Sequence, residues 1–289
     1  MTHPVIAGVD GSASSLEAVE VAAREAQLRG APLRIVHAFG HRQVGGPSWS
    51  LVDHGLEPMT HGVPARAEEL ARTAAPGVSV TRSVVAGEAV EVLEIESRSA
   101  SLAVTGSRGM NGFSGLLLGS TAVHLAAHGH CPLMVVRGRP DPAGPVVLAV
   151  DGSEAGAGAV EFAFTEAALR KAPLAALHVW NTWNEHAYQR SGDPLNAVVA
   201  DAGRLREAGQ RLLDESVTAW QEKFPQVTVE RRLVRSRVRQ ALIDAGRGAQ
   251  LLVVGARGHG GFTGLLLGSV SQALLHHAHC PVTVVRGEE

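Results

Sequence analysis

The 34 residues from Val104 to Arg137 recur without a gap from Val253 to Arg286, and 20 of those positions are identical. A second match pairs Val9-Asp10-Gly11-Ser12 with Val150-Asp151-Gly152-Ser153. The offset is 149 in the first case and 141 in the second, so the second copy holds eight extra residues between its two matching stretches. Repetition of this kind constrains the fold more than composition does, because whatever one half forms the other must form as well. In a chain of 289 residues each copy is long enough to bury a core of its own. The reading is two domains, 1–138 and 146–289. Between them Gly138–Pro145, with three prolines and two glycines, reads as a linker.

Each half alternates short apolar runs with helical patterns. In the first, apolar runs at Val5–Val9, Leu33–His37, Val78–Val85, Leu102–Thr105 and Leu133–Val136 read as strands. Helices are expected after Ser12, over Ala65–Ala75, near Val90–Ser97 and from about Ser120 to Ala127. Ser14 and Glu17 are spaced as a capping box for the first of these. The second half places strands near Val146–Val150, Leu174–His178, Val227–Val234, Leu251–Val254 and Val282–Val285. Strands alternating with helices imply an α/β fold with parallel sheets and right-handed crossovers. In such sheets ligands bind beyond the carboxyl ends of the strands, where the strand order reverses. If the first and fourth strands are neighbours, Asp10 and the loop opening at Gly106 face one crevice.

That loop reads Gly106-Ser107-Arg108-Gly109, then nine residues, then Gly119-Ser120. Its copy reads Gly255-Ala256-Arg257-Gly258, nine residues, then Gly268-Ser269. Glycines let a backbone approach an anion closely, and the first N–H groups of the following helix attract phosphate. Glycines can also serve turns alone. Two matching copies, each between an apolar strand and a helix, favour a phosphate cradle. A Walker A loop needs a lysine, and the two lysines, Lys171 and Lys223, lie in neither loop. A dinucleotide fingerprint should follow the first strand, where Asp10-Gly11-Ser12 stands instead.

The Gly-2x-Gly-9x-Gly-Ser pattern, the Val-Asp-Gly-Ser start and the closing Cys-Pro-x-x-Val-Val-Arg strand resemble the universal stress protein family in its ATP-binding branch. The resemblance spans both halves. It implies two tandem Rossmann-like domains of the adenine nucleotide alpha hydrolase-like kind, each a five-stranded parallel sheet of order 3-2-1-4-5 with helices on both faces. It implies one ATP per domain, two per chain, with Mg²⁺ as a companion ion, and a homodimer acting on an unidentified protein partner. Val9 and Asp10, with Val150 and Asp151, are expected beside the adenosine. Ala38 and Val179 would meet the adenine edge through their backbone. Gly106, Gly109, Gly119 and Ser120, with Gly255, Gly258, Gly268 and Ser269, would hold ribose and phosphates. For Arg108 and Arg257, inside the loops, phosphate contact and plain solvation are equally open. Asp10 has three readings, a water-mediated Mg²⁺ contact, direct nucleotide contact or a turn cap, and direct contact is favoured. The halves differ after the third strand. Val85-Ala86-Gly87-Glu88 matches the family's glycine turn, whereas Val234-Arg235-Ser236-Arg237 replaces the glycine and adds two arginines.

Other features have plainer explanations. A net charge of -2 without a basic block argues against nucleic acid or an anionic membrane as partner. Met110–Val136 is long and uncharged, yet its glycines, histidines and Pro132 fit a loop, helix and strand better than a membrane span. No basic segment followed by an apolar one opens the chain, so a soluble cytoplasmic protein is expected. His128-x-His130-Cys131 and His277-x-His279-Cys280 offer metal-ligand types, but a helix end with a buried cysteine accounts for them. His37 and His178, ending the second strands, are expected to make structural hydrogen bonds. Trp180 and Trp183 are read as packing beside the second adenine pocket or covering the insertion. The main rival to a nucleotide-binding stress or signalling protein is an enzyme of related fold hydrolysing or transferring from ATP. Such an enzyme needs cations over the leaving phosphate and a positioned base. Neither loop motif supplies a lysine or a second carboxylate. At most slow ATP hydrolysis is therefore expected.

Overall fold

The computed structural model describes residues 2–40, 62–109, 118–153, 156–181, 194–258 and 266–287, with the backbone alone over 194–201. Two compact units divide the chain between Arg137 and Gly138. The first runs β1 (Val5–Gly8), α1 (Ala13–Arg29), β2 (Leu33–Phe39), α2 (Val63–Ala74), β3 (Val80–Ala86), α3 (Ala89–Ser97), β4 (Leu102–Gly106), α4 (Ser120–His128) and β5 (Leu133–Val136). The second runs β6 (Val146–Ala149), α5 (Ala157–Arg170), β7 (Leu174–Trp180), α6 (Pro194–Lys223), β8 (Val229–Arg235), α7 (Val238–Ala245), β9 (Leu251–Gly255), α8 (Ser269–His277) and β10 (Val282–Val285). The strands expected from the apolar runs are present, with ends within about two residues.

In the first unit β1 pairs in parallel with both β2 and β4, β2 with β3, and β4 with β5, giving the order β3-β2-β1-β4-β5. The second unit repeats this as β8-β7-β6-β9-β10. Each is the expected order 3-2-1-4-5. Inner strands of a parallel sheet are covered on both faces, so they read as unbroken apolar runs. β1, β4 and β5 are buried along almost their whole length. β3 and β8 pair with one strand each within their units and mix charged with apolar residues, as Val-Thr-Arg-Ser-Val-Val-Ala and Val-Glu-Arg-Arg-Leu-Val-Arg. Helices α1 and α2 pack together, as do α3 and α4; α5 with α6 and α7 with α8 repeat the arrangement.

Three local expectations change. The cap of α1 is Ser12, whose side chain accepts from the Ser15 N–H; the Ser14–Glu17 box does not form. Two serines at neighbouring starts satisfy the same spacing rule, and the helix takes the earlier one. The segment read as a linker is fastened to the second unit: the Arg139 N–H donates to His279 O at 2.9 Å and Gln250 Nε2 to Gly144 O at 2.7 Å. Proline and glycine suit a chain pressed against a surface as well as a loose joint. Gly138, at φ 61°, lies so close to the His279 carbonyl that a Cβ would stand 2.0 Å from its oxygen. The insertion accompanies a longer helix: α6 has 30 residues where α2 has 12, and the growth is at its N-terminal end. Its Gly209 rides directly over β7 and β8, where a Cβ would stand 3.0 Å from both the His178 ring and Leu233.

Each first helix also carries a buried ion pair four residues apart, Glu25–Arg29 and Glu166–Arg170. The two helices end differently. Gly30 caps α1 in the left-handed conformation at φ 59°, whereas Lys171 caps α5 at φ 52° with the same two backbone bonds. A side chain in that region is strained where glycine is not. Lys171→Gly is therefore expected to stabilise the second unit by about 0.5–1 kcal/mol. Urea denaturation followed by α-helical circular dichroism measures it, and an unchanged or lowered midpoint contradicts the strain.

Candidate functional site

The parallel pairing of β1 with β4 sets the carboxyl ends of those strands side by side, and the same holds for β6 with β9. Beyond β1 the ladder continues to Val9, whose N–H donates to Val36 O at 2.9 Å. The Val9 carbonyl then accepts from His37 Nδ1 at 2.8 Å, and Val150 accepts from His178 Nδ1 at 2.8 Å. These are the structural bonds expected of the two histidines. They fix the backbone immediately before each aspartate.

The chain then turns through Gly11 at φ 89° and Gly152 at φ 75°. Asp10 Oδ1 accepts from the Ser12 N–H at 2.9 Å, and Asp151 Oδ1 accepts from both the N–H (3.0 Å) and hydroxyl (2.7 Å) of Ser153. One carboxylate oxygen thus closes the turn. The other, Oδ2, faces the glycine loop. A Cβ built on Gly109 would stand 2.7 Å from Asp10 Oδ2, and one on Gly258 would stand 2.1 Å from Asp151 Oδ2. No side chain fits between loop and carboxylate in either unit. Asp10 and Asp151 thereby close the turn with one oxygen and set the other against the loop glycine.

The loop is strapped to the start of α1. A Cβ on Gly106 would stand 2.5 Å from Ser14 Oγ, and that hydroxyl accepts from the Arg108 N–H at 3.4 Å. Ser12 Oγ donates to Arg108 O at 3.4 Å. The far end of the loop returns to its beginning, since the Gly119 N–H donates to Ser107 O and the Gly268 N–H to Ala256 O, both at 2.8 Å. In the second unit Ser271 Oγ also holds Gly255 O at 2.6 Å. Gly119 and Gly268 cap α4 and α8 without any side-chain bond, so Ser120 and Ser269 open helices whose first N–H groups have no side-chain acceptor at the cap. Arg108 and Arg257 are exposed. Ala38 and Val179 sit near the ends of β2 and β7, half-buried. Each unit therefore brings its aspartate, the first glycines of its loop and the start of the next helix to one edge of the sheet. The loop interiors, 110–117 and 259–265, and Trp183 lie outside the described residues.

Ser14 contributes to the site in a way the capping-box spacing concealed. Leu212 is a second residue without a sequence signal. It projects from α6 onto the turn of the second unit, where a Cβ on Gly152 would stand 2.6 Å from it. Ser236, which stands where the first unit has Gly87, makes the same closing bond to its neighbouring strand: Gly87 N–H to Phe39 O at 3.0 Å, Ser236 N–H to Trp180 O at 3.1 Å. Gly87 does so at φ 151°, while Ser236 is not among the positive-φ residues, so the two turns differ in backbone.

Among the described residues no group of three or more His, Cys, Asp or Glu is arranged to hold a metal ion. Burial pushes the Cys131 thiol up to about 12, which keeps it protonated at neutral pH and unlike a thiolate ligand. Cys280 is fully buried. The nearby His124 is hydrogen-bonded to Glu94 at 2.7 Å and holds that carboxyl below its ordinary value. Among the described residues no helix is long and apolar enough to cross a membrane.

A family profile described as the universal stress protein family matches residues 1–137 and again 143–286. Universal stress protein MT2052 of Mycobacterium tuberculosis is 34% identical over 303 residues, covering 98% of this chain and 94% of its own. A universal stress protein of Mycolicibacterium smegmatis is 35% identical over 304 residues, covering 98% and 97%. The crystal structure of a universal stress protein from Archaeoglobus fulgidus superposes with a TM-score of 0.70 at 20% identity, covering 99% of this chain and 97% of that one, which supports the fold.

The contact between glycine and carboxylate gives a direct test. Gly258→Ala is expected to destabilise the second unit by about 1–3 kcal/mol through overpacking. Adding Asp151→Ala should recover most of that loss, because the pair is coupled through one contact. Purely additive melting shifts in this double-mutant cycle would show that the two residues do not press on each other.

Proposed function

The chain belongs to the universal stress protein family, and from that membership and the paired crevices we propose that it binds one adenine nucleotide in each half, ATP above all. The observation that carries the reading is the duplicated absence of a Cβ opposite a carboxylate, Gly109 against Asp10 and Gly258 against Asp151. A carboxylate held against the loop suits a polar sugar, and the helix start beyond it, without a side-chain cap, suits the phosphates. On this reading the aspartates would meet ribose hydroxyls, and Ser120 and Ser269 phosphate oxygens. Ala38 and Val179 supply strand-end backbone for the base edge.

A Mg²⁺ ion carried in with the nucleotide suits this donor set. One carboxylate oxygen per crevice, with hydroxyls, is too little for an all-protein cage, but Mg²⁺ keeps waters and phosphates as ligands. Asp10 and Asp151 would hold it, and it would neutralise phosphate charge.

The same inventory favours retention over turnover. Donors shaped to the ground state bind ATP, while hydrolysis needs interactions that strengthen only in the transition state. In the described loop segments the cations available are Arg108 and Arg257, and the one acidic residue beside each loop is its aspartate. A slowly released nucleotide gives a state that a partner protein can read. Assembly as a homodimer, action in the cytoplasm and a role in stress signalling belong to the same proposal. An ATP-hydrolysing enzyme of related fold is the reading that fast turnover would favour.

Gly119 makes the decisive experiment possible. It adopts extended backbone, at φ -77° and ψ 149°, and among the described residues a Cβ there would meet nothing nearer than 3.8 Å. Gly119→Val should fill the cradle at the cost of about 1 kcal/mol for valine at a helix N-cap. Calorimetry with ATP is expected to give two sites in the parent and one in the variant, with a melting curve that shows the variant folded. A parent with a single site, or a variant that still binds two, contradicts the proposal. Phosphate release should stay below about 1 s⁻¹, the low end of enzymatic rates. Faster release abolished by Asp10→Ala with Asp151→Ala would move the chain into the enzyme class.

A further inference from the structure

The two crevices share their aspartate, glycines and helix start but differ in one charged wall. In both units a charged side chain at or just beyond the end of the third strand lies beside the end of the second. In the first unit that side chain is Glu88: a Cβ on Gly40, just beyond β2, would stand 3.3 Å from its carboxylate. In the second it is Arg235, whose guanidinium lies 5.6 Å from the centre of the Trp180 ring at the end of β7. Trp180 directly follows Val179, the strand-end position proposed for the base edge. The closing bonds, Gly87 to Phe39 and Ser236 to Trp180, show that the two turns occupy the same place in their units.

Counted across the repeat, Ala86, Glu88 and Val90 of the first turn become Arg235, Arg237 and Arg239 of the second. All three arginines are exposed. Two of them work against the local structure. Arg237 caps α7 and Arg239 lies in its first turn, which holds no acidic residue. Cations there oppose the helix dipole, whereas Glu88 and Glu91 at the start of α3 agree with it. A local rule kept in one copy and broken in the other, beside a ligand crevice, marks a functional difference.

We propose that this turn makes the two halves select ligands by charge, the second half favouring the more highly phosphorylated adenine nucleotides and the first half resisting them. The inference rests on the reading of each crevice as a nucleotide site. Exchanging one carboxylate for three guanidinium groups alters the local charge by four, and in water each charge pair is weak but the pairs add. Such an effect is long-ranged at low salt and screened at high salt. It acts on the charge of the ligand and not on its base, so adenosine is the natural reference.

One-site chains isolate the halves: Gly119→Val leaves the second site, and Gly268→Val leaves the first. Calorimetry with adenosine, AMP, ADP and ATP on each, with melting curves to confirm folding, reads the ratio of affinities. For ATP relative to adenosine, the second half is expected to gain on the first by on the order of tenfold at 10 mM salt, falling to about twofold at 0.5 M. Glu88→Arg in the first-site chain should raise ATP affinity severalfold more than it changes adenosine affinity, and Arg237→Glu in the second-site chain should lower ATP affinity severalfold more than adenosine affinity. A ratio that is the same for all four ligands, or that ignores both salt and the charge swaps, overturns the inference and leaves the nucleotide sites standing. Failure of every ligand to bind either half overturns both.

Discussion

Parallel pairing of the first strand of each unit with its fourth is the arrangement on which the site depends. It carries Asp10 and the Gly106 loop to adjacent strand ends although nearly a hundred residues separate them. Once they are adjacent, the distance between loop backbone and carboxylate is set by what stands at Gly109, and only a residue without Cβ lets the two meet. The serine contacts follow from that closeness. Ser12 caps α1 and donates to Arg108 O, while Ser14 accepts from the Arg108 N–H, so the helix start and the loop hold each other. A crevice built this way is preorganised by the fold, because the aspartate, the serines and the loop backbone are held by hydrogen bonds to one another.

Much of this was legible in the amino-acid sequence because central parallel strands are apolar on both faces. β1 and β4 appear as largely apolar runs, and the outer β3 and β8 betray themselves by mixed charge. The 3-2-1-4-5 order, by contrast, came from resemblance; periodicity alone does not say which strand lies beside which. Where the reading failed, two residues satisfied one rule. Ser12 and Ser14 both stand near the start of the first helix; Ser12 caps it, while Ser14 lies inside it and meets the loop. The linker reading did not say how the segment is held. Proline and glycine report backbone constraint but not its cause, and here the cause is hydrogen bonding to the second unit. Leu212 had no signal, since only the packing of α6 against the aspartate turn brings it to Gly152.

The differences between the halves are not scattered evenly. The strands, the aspartate turn and the loop glycines are duplicated closely, while α6, the cap at Lys171 and the turn at Ser236 depart from their counterparts. Lys171 lies at the opposite end of its helix from the crevice, and its strained cap has no contact that explains it. The other two departures both touch the second crevice: α6 lays Leu212 on Gly152, and the Arg235 turn stacks on Trp180.

Duplication within one chain explains why such changes can persist. In a protein with one site per chain, a wall that alters ligand charge preference changes the whole function at once. With two copies, one crevice retains the glycine turn and its carboxylate while the other exchanges them for serine and arginine. The cost falls on local stability, since Arg237 and Arg239 oppose the dipole of a helix of only eight residues. Such a cost is small beside the stability that buried parallel strands give each unit. The conserved frame of the fold thus leaves the walls of the second crevice open to change, and the geometry that makes both crevices possible is untouched by it.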